Sequence, residues 1–335
     1  MEWIYLVAGI GLLLFVTIDV FWTTLWVDGG AGPISSRLSR FLWKMTRGIG
    51  RGHPWLLSLA GPAVLAITLV TWIGLLWLGW LLVFSGDIHS VVDTRDDKPI
   101  NWSERIYFTG YVVFTLGVGD YVPREGFWQV ITAAASGNGF LFLTLGATYT
   151  LSILNSVIQQ RSFASSITAI GKSGSEFVRN SWNGTDFSDI NLLLSSTSSQ
   201  LSTLAAQHKA YPVLYYYHCP QDEQAASVAV TVLDEALTIL RFGVPEPYQP
   251  NRVLIQEARS SIEGYLDALS PRLIKTAGQV PSIANLDDIR ILGLPTMTDK
   301  EFKTEVEQLQ GRRRKLLNAL ESDARQWPSG QTGGT

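Results

Sequence analysis

Phe114–Pro123, FTLGVGDYVP, sets two glycines one residue apart beside an aspartate. Apolar segments long enough to cross a bilayer stand on either side of this polar turn. Trp3–Val27 contains one charge, Asp19, while Pro62–Ser85 and Phe127–Gln160 contain none. Each run reaches the roughly 20 residues that a helix needs to cross hydrocarbon about 30 Å thick. Soluble cores rarely supply three such stretches, so the 335-residue chain is expected to be integral to a membrane. The first run begins MEW, without the positive charge of a secretory signal, and ends in the bulky FWTTLWVDGG. It is expected to persist as a span.

Charge gives the orientation. Arg37, Arg40, Lys44, Arg47 and Arg51 lie between residues 31 and 60 without an acid. In the opposite loop, Asp87, Asp93, Asp96, Asp97, Glu104, Asp120 and Glu125 outnumber Arg95, Lys98, Arg105 and Arg124. The positive-inside rule predicts a multi-pass protein with residues 31–60 in the cytoplasm, the N-terminus outside and everything after about residue 160 inside. Ile34, Leu38, Phe41, Leu42 and Met45 recur at helical spacing among the basic residues. This predicts an amphipathic helix lying along anionic lipid. The net charge of −3 says little about partners, because the charges are segregated by compartment; no nucleic-acid partner is expected. Cys219 is the sole cysteine, so there is no disulfide framework, and beside His218 it is read as an ordinary buried thiol rather than half a metal site.

Within the outer loop, WSERIYFTGYVVF has room for about three helical turns, too short to span and too apolar for an exposed loop. A re-entrant or buried helix is expected. Inside a bilayer, unpaired carbonyls are tolerated where they line a water-filled cavity or are buried in protein. Two glycines spaced by one residue let successive carbonyls face a common axis, and several chains around that axis would present rings of oxygen replacing a cation's hydration shell. Thr115 can add a hydroxyl ring. These features describe a cation selectivity filter.

TLGVGDYVP resembles the filter of the tetrameric potassium channels, whose usual core is Thr-x-Gly-Tyr-Gly-Asp or Thr-x-Gly-Phe-Gly-Asp. The order helix, pore helix, filter, helix from Pro62 to Ile158 is similar to the two-helix pore module of that superfamily. The resemblance covers about a hundred residues. It implies that Thr115, Leu116, Gly117 and Val118 offer carbonyls to permeant potassium, with Gly119 at the outer end and Asp120 bracing the filter from behind. It also makes Gly139 a gating-hinge candidate in the inner helix. Val118 stands where an aromatic residue is usual and Phe114 where a second threonine is common. Both keep the backbone chemistry and change the packing behind it. Aliphatic residues occur at the Val118 position in some two-pore members, which keeps potassium the expected ion.

The fold expected is an all-α membrane protein with three transmembrane helices, a re-entrant pore helix with its filter, and a helical cytoplasmic C-terminal domain. Residues 1–28 are an accessory span, 29–60 a basic interfacial helix, 61–160 the pore domain, 161–328 a cytoplasmic regulatory domain and 329–335 a disordered tail. The third span is placed at Phe127–Ile158, with a polar connector from 160 to 200. No alternating strand pattern is visible. Helical periodicity over 191–272 breaks at Pro212, Pro220 and VPEPYQP. Phe302, Val306, Leu309, Leu316 and Leu320 predict a final amphipathic helix with Arg313 on its apolar stripe. Arg312–Lys315 is read as a solvated basic run. Asp19 would sense protons, pair with the pore module, or accept hydrogen bonds from Thr17, Thr23 and Thr24.

The function expected is a homotetrameric, potassium-selective channel of the plasma or inner membrane. It would conduct passively and catalyse no chemistry, with lipid as a partner, no cofactor and an unknown cytoplasmic regulator. The alternatives are a nonselective cation channel and a membrane sensor with a non-conducting pore-like fold.

Overall fold

The computed structural model describes residues 2–27, 29–49, 57–269, 281–284, 286–291, 293–294 and 296–328. The expected tail at 329–335 and the basic residue Arg51 lie outside them. The chain is mostly helical, and three helices among the described residues are long and apolar enough to cross a membrane. Two compact units divide it: residues 1–154 with 210–216, and residues 155–209 with 217–335.

In the first unit α1 spans Glu2–Leu25, α2 Pro33–Ile49 and α3 Ala60–Ser85. The helices α1 and α3 cross where both are small. A Cβ on Gly9 would lie 2.8 Å from Gly79 O, and one on Gly79 would lie 2.7 Å from the Leu13 side chain. Close backbone approach of this kind drives helix pairing in lipid, where apolar burial alone gives no preference. Helix α2 buries Ser35 and Ser39, whereas Phe41 and Met45 are exposed. Phe41 and Met45 of the expected apolar stripe are thus left open for the expected lipid contact, and within the unit two serines one turn apart make the contact, because they admit close packing.

Helix α4, Trp102–Val113, is 12 residues long, and α5, Phe127–Thr168, is 42. A capping box starts α4: Asn101 Oδ1 accepts from Glu104 N at 3.0 Å and Glu104 Oε2 from Asn101 N at 2.8 Å. The outer segment also holds two short strands, β1 (Val91–Asp93) and β2 (Tyr121–Pro123). They pair antiparallel, Val91 with Pro123 and Asp93 with Tyr121. This ribbon departs from the all-helical expectation; three residues are too few to show a period of two.

Helix α5 runs past Ile158, where the third span was expected to end. Phe163, Ala164 and Ile167 are buried in the second unit's core, and that packing outweighs the weak helix propensity of the surrounding serines. The second unit continues with α6 (Gly174–Asn180), α7 (Asn191–Ala210), α8 (Ala226–Phe242), α9 (Arg252–Ala268), α10 (Asp299–Gln308) and α11 (Gln310–Ser322). The breaks after α7 and α8 fall at the prolines. Helix α8 is buried at every position from Val228 to Leu240, as expected of a helix enclosed on all sides. The final helix is interrupted at Leu309.

Arg312 and Arg313 do not form a solvated run. Arg312 Nε donates to Asp234 at 2.6 Å and its Nη1 to Glu263 at 2.9 Å. Arg313, buried, lies 3.4 Å from Glu235 and 4.9 Å from the Trp327 ring centroid. The sequence showed a local run of charge; the fold supplies carboxylates from α8 and α9.

Candidate functional site

Residues 114–120 follow directly from the C-terminus of α4. Phe114 N still donates to Gly110 O at 2.9 Å, Thr115 N to Val112 O at 3.1 Å and Leu116 N to Tyr111 O at 2.8 Å. Beyond that point the helical ladder stops. Thr115, Gly117 and Gly119 have φ of 59°, 60° and 88°, whereas Leu116 and Val118 between them are not left-handed. A β-branched residue with positive φ is an outlier that neighbouring structure must hold in place. Alternating the sign of φ turns successive carbonyls to one side of the chain, whereas in a strand they alternate sides and in a helix they point along the axis. Among the described residues, no N–H or hydroxyl donates to the carbonyls of residues 115–118. All four residues are exposed within the chain.

The surrounding contacts place this loop. Gly110 lies against Trp77 of α3, where a Cβ would meet the indole at 2.9 Å, and Trp77 Nε1 donates to Ile106 O at 3.1 Å. The Phe114 ring packs edge-on against Trp77 with centroids 6.1 Å apart. Phe114 thus packs beside the start of the loop. On the outer side, Tyr111 Oη donates to Tyr121 O. The Asp120 carboxylate acts on the phenols of Tyr107 and Tyr111, and the Asp120 carbonyl accepts from Thr94 N at 3.2 Å and Thr94 Oγ1 at 2.9 Å. The β ribbon holds the loop's exit.

Gly139 is the tightest contact. A Cβ there would lie 2.0 Å from Val113 O, so α5 touches the last turn of α4 backbone to backbone. At Gly137 a Cβ would meet nothing within 4 Å, and at Gly146 it would meet Leu69 at 3.2 Å. Helix α5 runs unbroken through all three. Trp80 Nε1 adds a bond to Asn138 Oδ1 at 3.1 Å.

Arg105 was counted only as a loop charge in the sequence. It is buried, and its Nη1 and Nη2 donate to Phe84 O at 3.0 Å and Ile88 O at 3.1 Å. It therefore bonds one carbonyl of the last turn of α3, Phe84 O, and one of the loop that follows, Ile88 O. A lone arginine inside the apolar WSERIYFTGYVVF was the available signal.

Asp19 is fully buried. Its Oδ1 accepts from Ile34 N at 2.7 Å and Ser35 N at 3.3 Å, and its Oδ2 from Ser35 Oγ at 2.6 Å and Trp72 Nε1 at 2.8 Å. The threonines do not reach the carboxylate: Thr23 Oγ1 donates to Asp19 O and Thr24 Oγ1 to Val20 O. Asp19 instead caps the start of α2 from a different helix and ties it to α1 and α3, where its negative charge also suits the helix N-terminus. His218 Nδ1 is paired with Asp323 Oδ1 at 2.7 Å, and no cluster of three or more metal-ligating side chains occurs among the described residues.

Membrane-length helices around a short helix and a loop of exposed carbonyls define a membrane protein with a channel-like core. Residues 65–156 match a family model described as ion channel. Over 324 residues the chain is 46% identical to the uncharacterized membrane protein YdjJ of Bacillus subtilis (strain 168), across 97% of this chain and 95% of that relative. The chain belongs to the family of membrane proteins that includes YdjJ. No solved structure matches it.

Proposed function

We propose that four copies of the chain form a potassium-selective channel of the plasma membrane, with the N-terminus outside and the C-terminal unit in the cytoplasm. The carbonyls of Thr115, Leu116, Gly117 and Val118 ring the axis and replace the water around a permeant potassium ion, Gly119 forms the outer end, and Asp120 braces the loop. Helix α4 is the re-entrant pore helix, α3 the outer helix and α5 the inner helix. The observation that carries this reading is the left-handed backbone at residues 115, 117 and 119 alternating with residues that are not left-handed. One such loop per chain requires several chains to close a ring. Fourfold symmetry follows from the resemblance to tetrameric channels.

Purified protein reconstituted in liposomes tests the proposal by ion-loaded flux with potassium, rubidium and sodium. Potassium and rubidium are expected to pass and sodium to be excluded. Gly117→Ala, which forces a side chain onto a φ of 60°, is expected to abolish flux while the assembly persists. Equal sodium and potassium flux would establish a nonselective pore, and an intact assembly that passes neither ion would remove the channel reading.

A further inference from the structure

Far along the chain from residues 114–120, four arginines converge on one cavity of the second unit. The cavity is an open cleft of about 470 Å³, comparable in volume to small-molecule sites. Arg241 lies in the last turn of α8, Arg252 opens α9, Arg259 lies near the middle of α9, and Arg312 comes from α11. Phe242 and Ile255 supply apolar wall, and Ser260 adds a hydroxyl.

The positive charge is incompletely neutralised from within. Arg312 takes Asp234 and Glu263, and Glu263 is shared with Lys315. Arg241 Nη1 meets an amide oxygen, Gln249 Oε1, at 3.3 Å. Arg259 Nη1 meets the Thr238 hydroxyl at 3.4 Å, and its guanidinium lies 5.7 Å from the Phe242 centroid. Among the described residues, Arg241, Arg252 and Arg259 form no ion pair with a carboxylate. Burial holds the Arg259 guanidinium below its ordinary value; Arg312 and Arg241 push it the same way, against Asp234 and Glu263. Arg252 sits in the first turn of α9, where the helix dipole disfavours a cation. Like charges gathered in this way raise the energy of an empty pocket and lower that of one holding an anion. Guanidinium forks match phosphate oxygens in planar, paired hydrogen bonds.

We propose that this cavity binds a small phosphorylated anion, held by Arg241, Arg252 and Arg259 with Arg312 as the fixed base of the site. The inference is independent of ion conduction. Full-length protein in detergent is titrated by calorimetry with inorganic pyrophosphate and with adenosine diphosphate, using malonate as a dicarboxylate control. At least one phosphate probe is expected to bind, with malonate at least about tenfold weaker. Arg241→Gln combined with Arg252→Gln is expected to weaken that binding about tenfold or more, the loss anticipated for charge-assisted hydrogen bonds. The unliganded thermal midpoint is expected to hold or to rise, because two of the crowded like charges are removed. Should the double variant fail to fold, Arg252→Gln alone serves, since that side chain is exposed. Failure of both phosphate probes to bind at concentrations up to about 10 mM, a Kd too weak for a built site, would overturn the proposal. So would equal malonate affinity, or affinity unchanged in a folded variant.

Discussion

Gly139→Ala separates packing from flexibility in the inner helix. The added Cβ would lie 2.0 Å from Val113 O, 2.8 Å from its carbonyl carbon and 3.0 Å from its Cα. All three atoms are backbone, and contacts below 3.0 Å do not persist, so α5 and the last turn of α4 must part by about 1 Å. Overpacking costs about 1–3 kcal/mol where side chains can yield, and here no side chain can. At about 2–4 °C per kcal/mol, the thermal midpoint of the purified protein should fall by several degrees, readable from tryptophan fluorescence. Val113 precedes Thr115 by two residues, so rubidium uptake by liposomes should fall as well. Gly137→Ala is the control. Its Cβ meets nothing within the chain, and alanine in a helix gains up to about 1 kcal/mol over glycine. A hinge role predicts the reverse for Gly139→Ala: a normal midpoint with altered flux. An unchanged midpoint in Gly139→Ala would refute the packing argument.

Asp19→Ala strips four hydrogen bonds from Ile34, Ser35 and Trp72 in a buried site. It should cost about 3–5 kcal/mol, with Asp19→Asn milder, as read from the thermal midpoint. Arg105→Met leaves the Ile88 carbonyl without its donor and the Phe84 carbonyl with only the Ser90 hydroxyl, and should cost about 1–3 kcal/mol by the same measurement. Glu235 is pushed up to about 7, chiefly by burial, against the opposing attraction of Arg313. Because its folded pKa lies above the ordinary 4.5, the folded state holds the proton more tightly. Its contribution is complete below pH 4.5 and is lost as pH rises through 7, by about 3 kcal/mol. Midpoints recorded across that window should fall with pH, and Glu235→Gln should flatten the slope.

The spans were legible because uninterrupted apolarity over more than 20 residues has few other physical explanations. The turn at 114–120 was legible because its glycines sit where side chains would resist the backbone, and the φ values of Gly117 and Gly119 bear that out. Proline marked the breaks around α8 for the same local reason. Partners distant in the chain were not legible. Asp19 meets Trp72, 53 residues away, and Arg312 meets Asp234, 78 residues away. No local pattern reports such pairings, so a solvated run at 312–315 was a reasonable expectation that the packing overruled at Arg312 and Arg313. The run-on of α5 to Thr168 has the same origin. Its serine-rich end is a weak helix former, and Phe163 and Ile167 fix it through burial.

The helix ends of the first unit follow one economy. Asp19 caps α2 from α1, Arg105 satisfies the end of α3 from α4, Asn101 and Glu104 close the start of α4, and Tyr111 reaches the Tyr121 carbonyl. Side chains borrowed across helices meet the demand at the buried start of α2 and end of α3, where an unmade bond is costly, while α4 closes its own exposed start. The carbonyls of residues 115–118 break the pattern, because the chain provides them no donor. A fold that caps its helix ends with buried charge and then leaves four consecutive oxygens open, on a backbone strained at Thr115, is not short of donors. Those exposed oxygens are left to water or to a partner from outside the chain, and in the proposed channel a cation entering a ring of several copies is that partner.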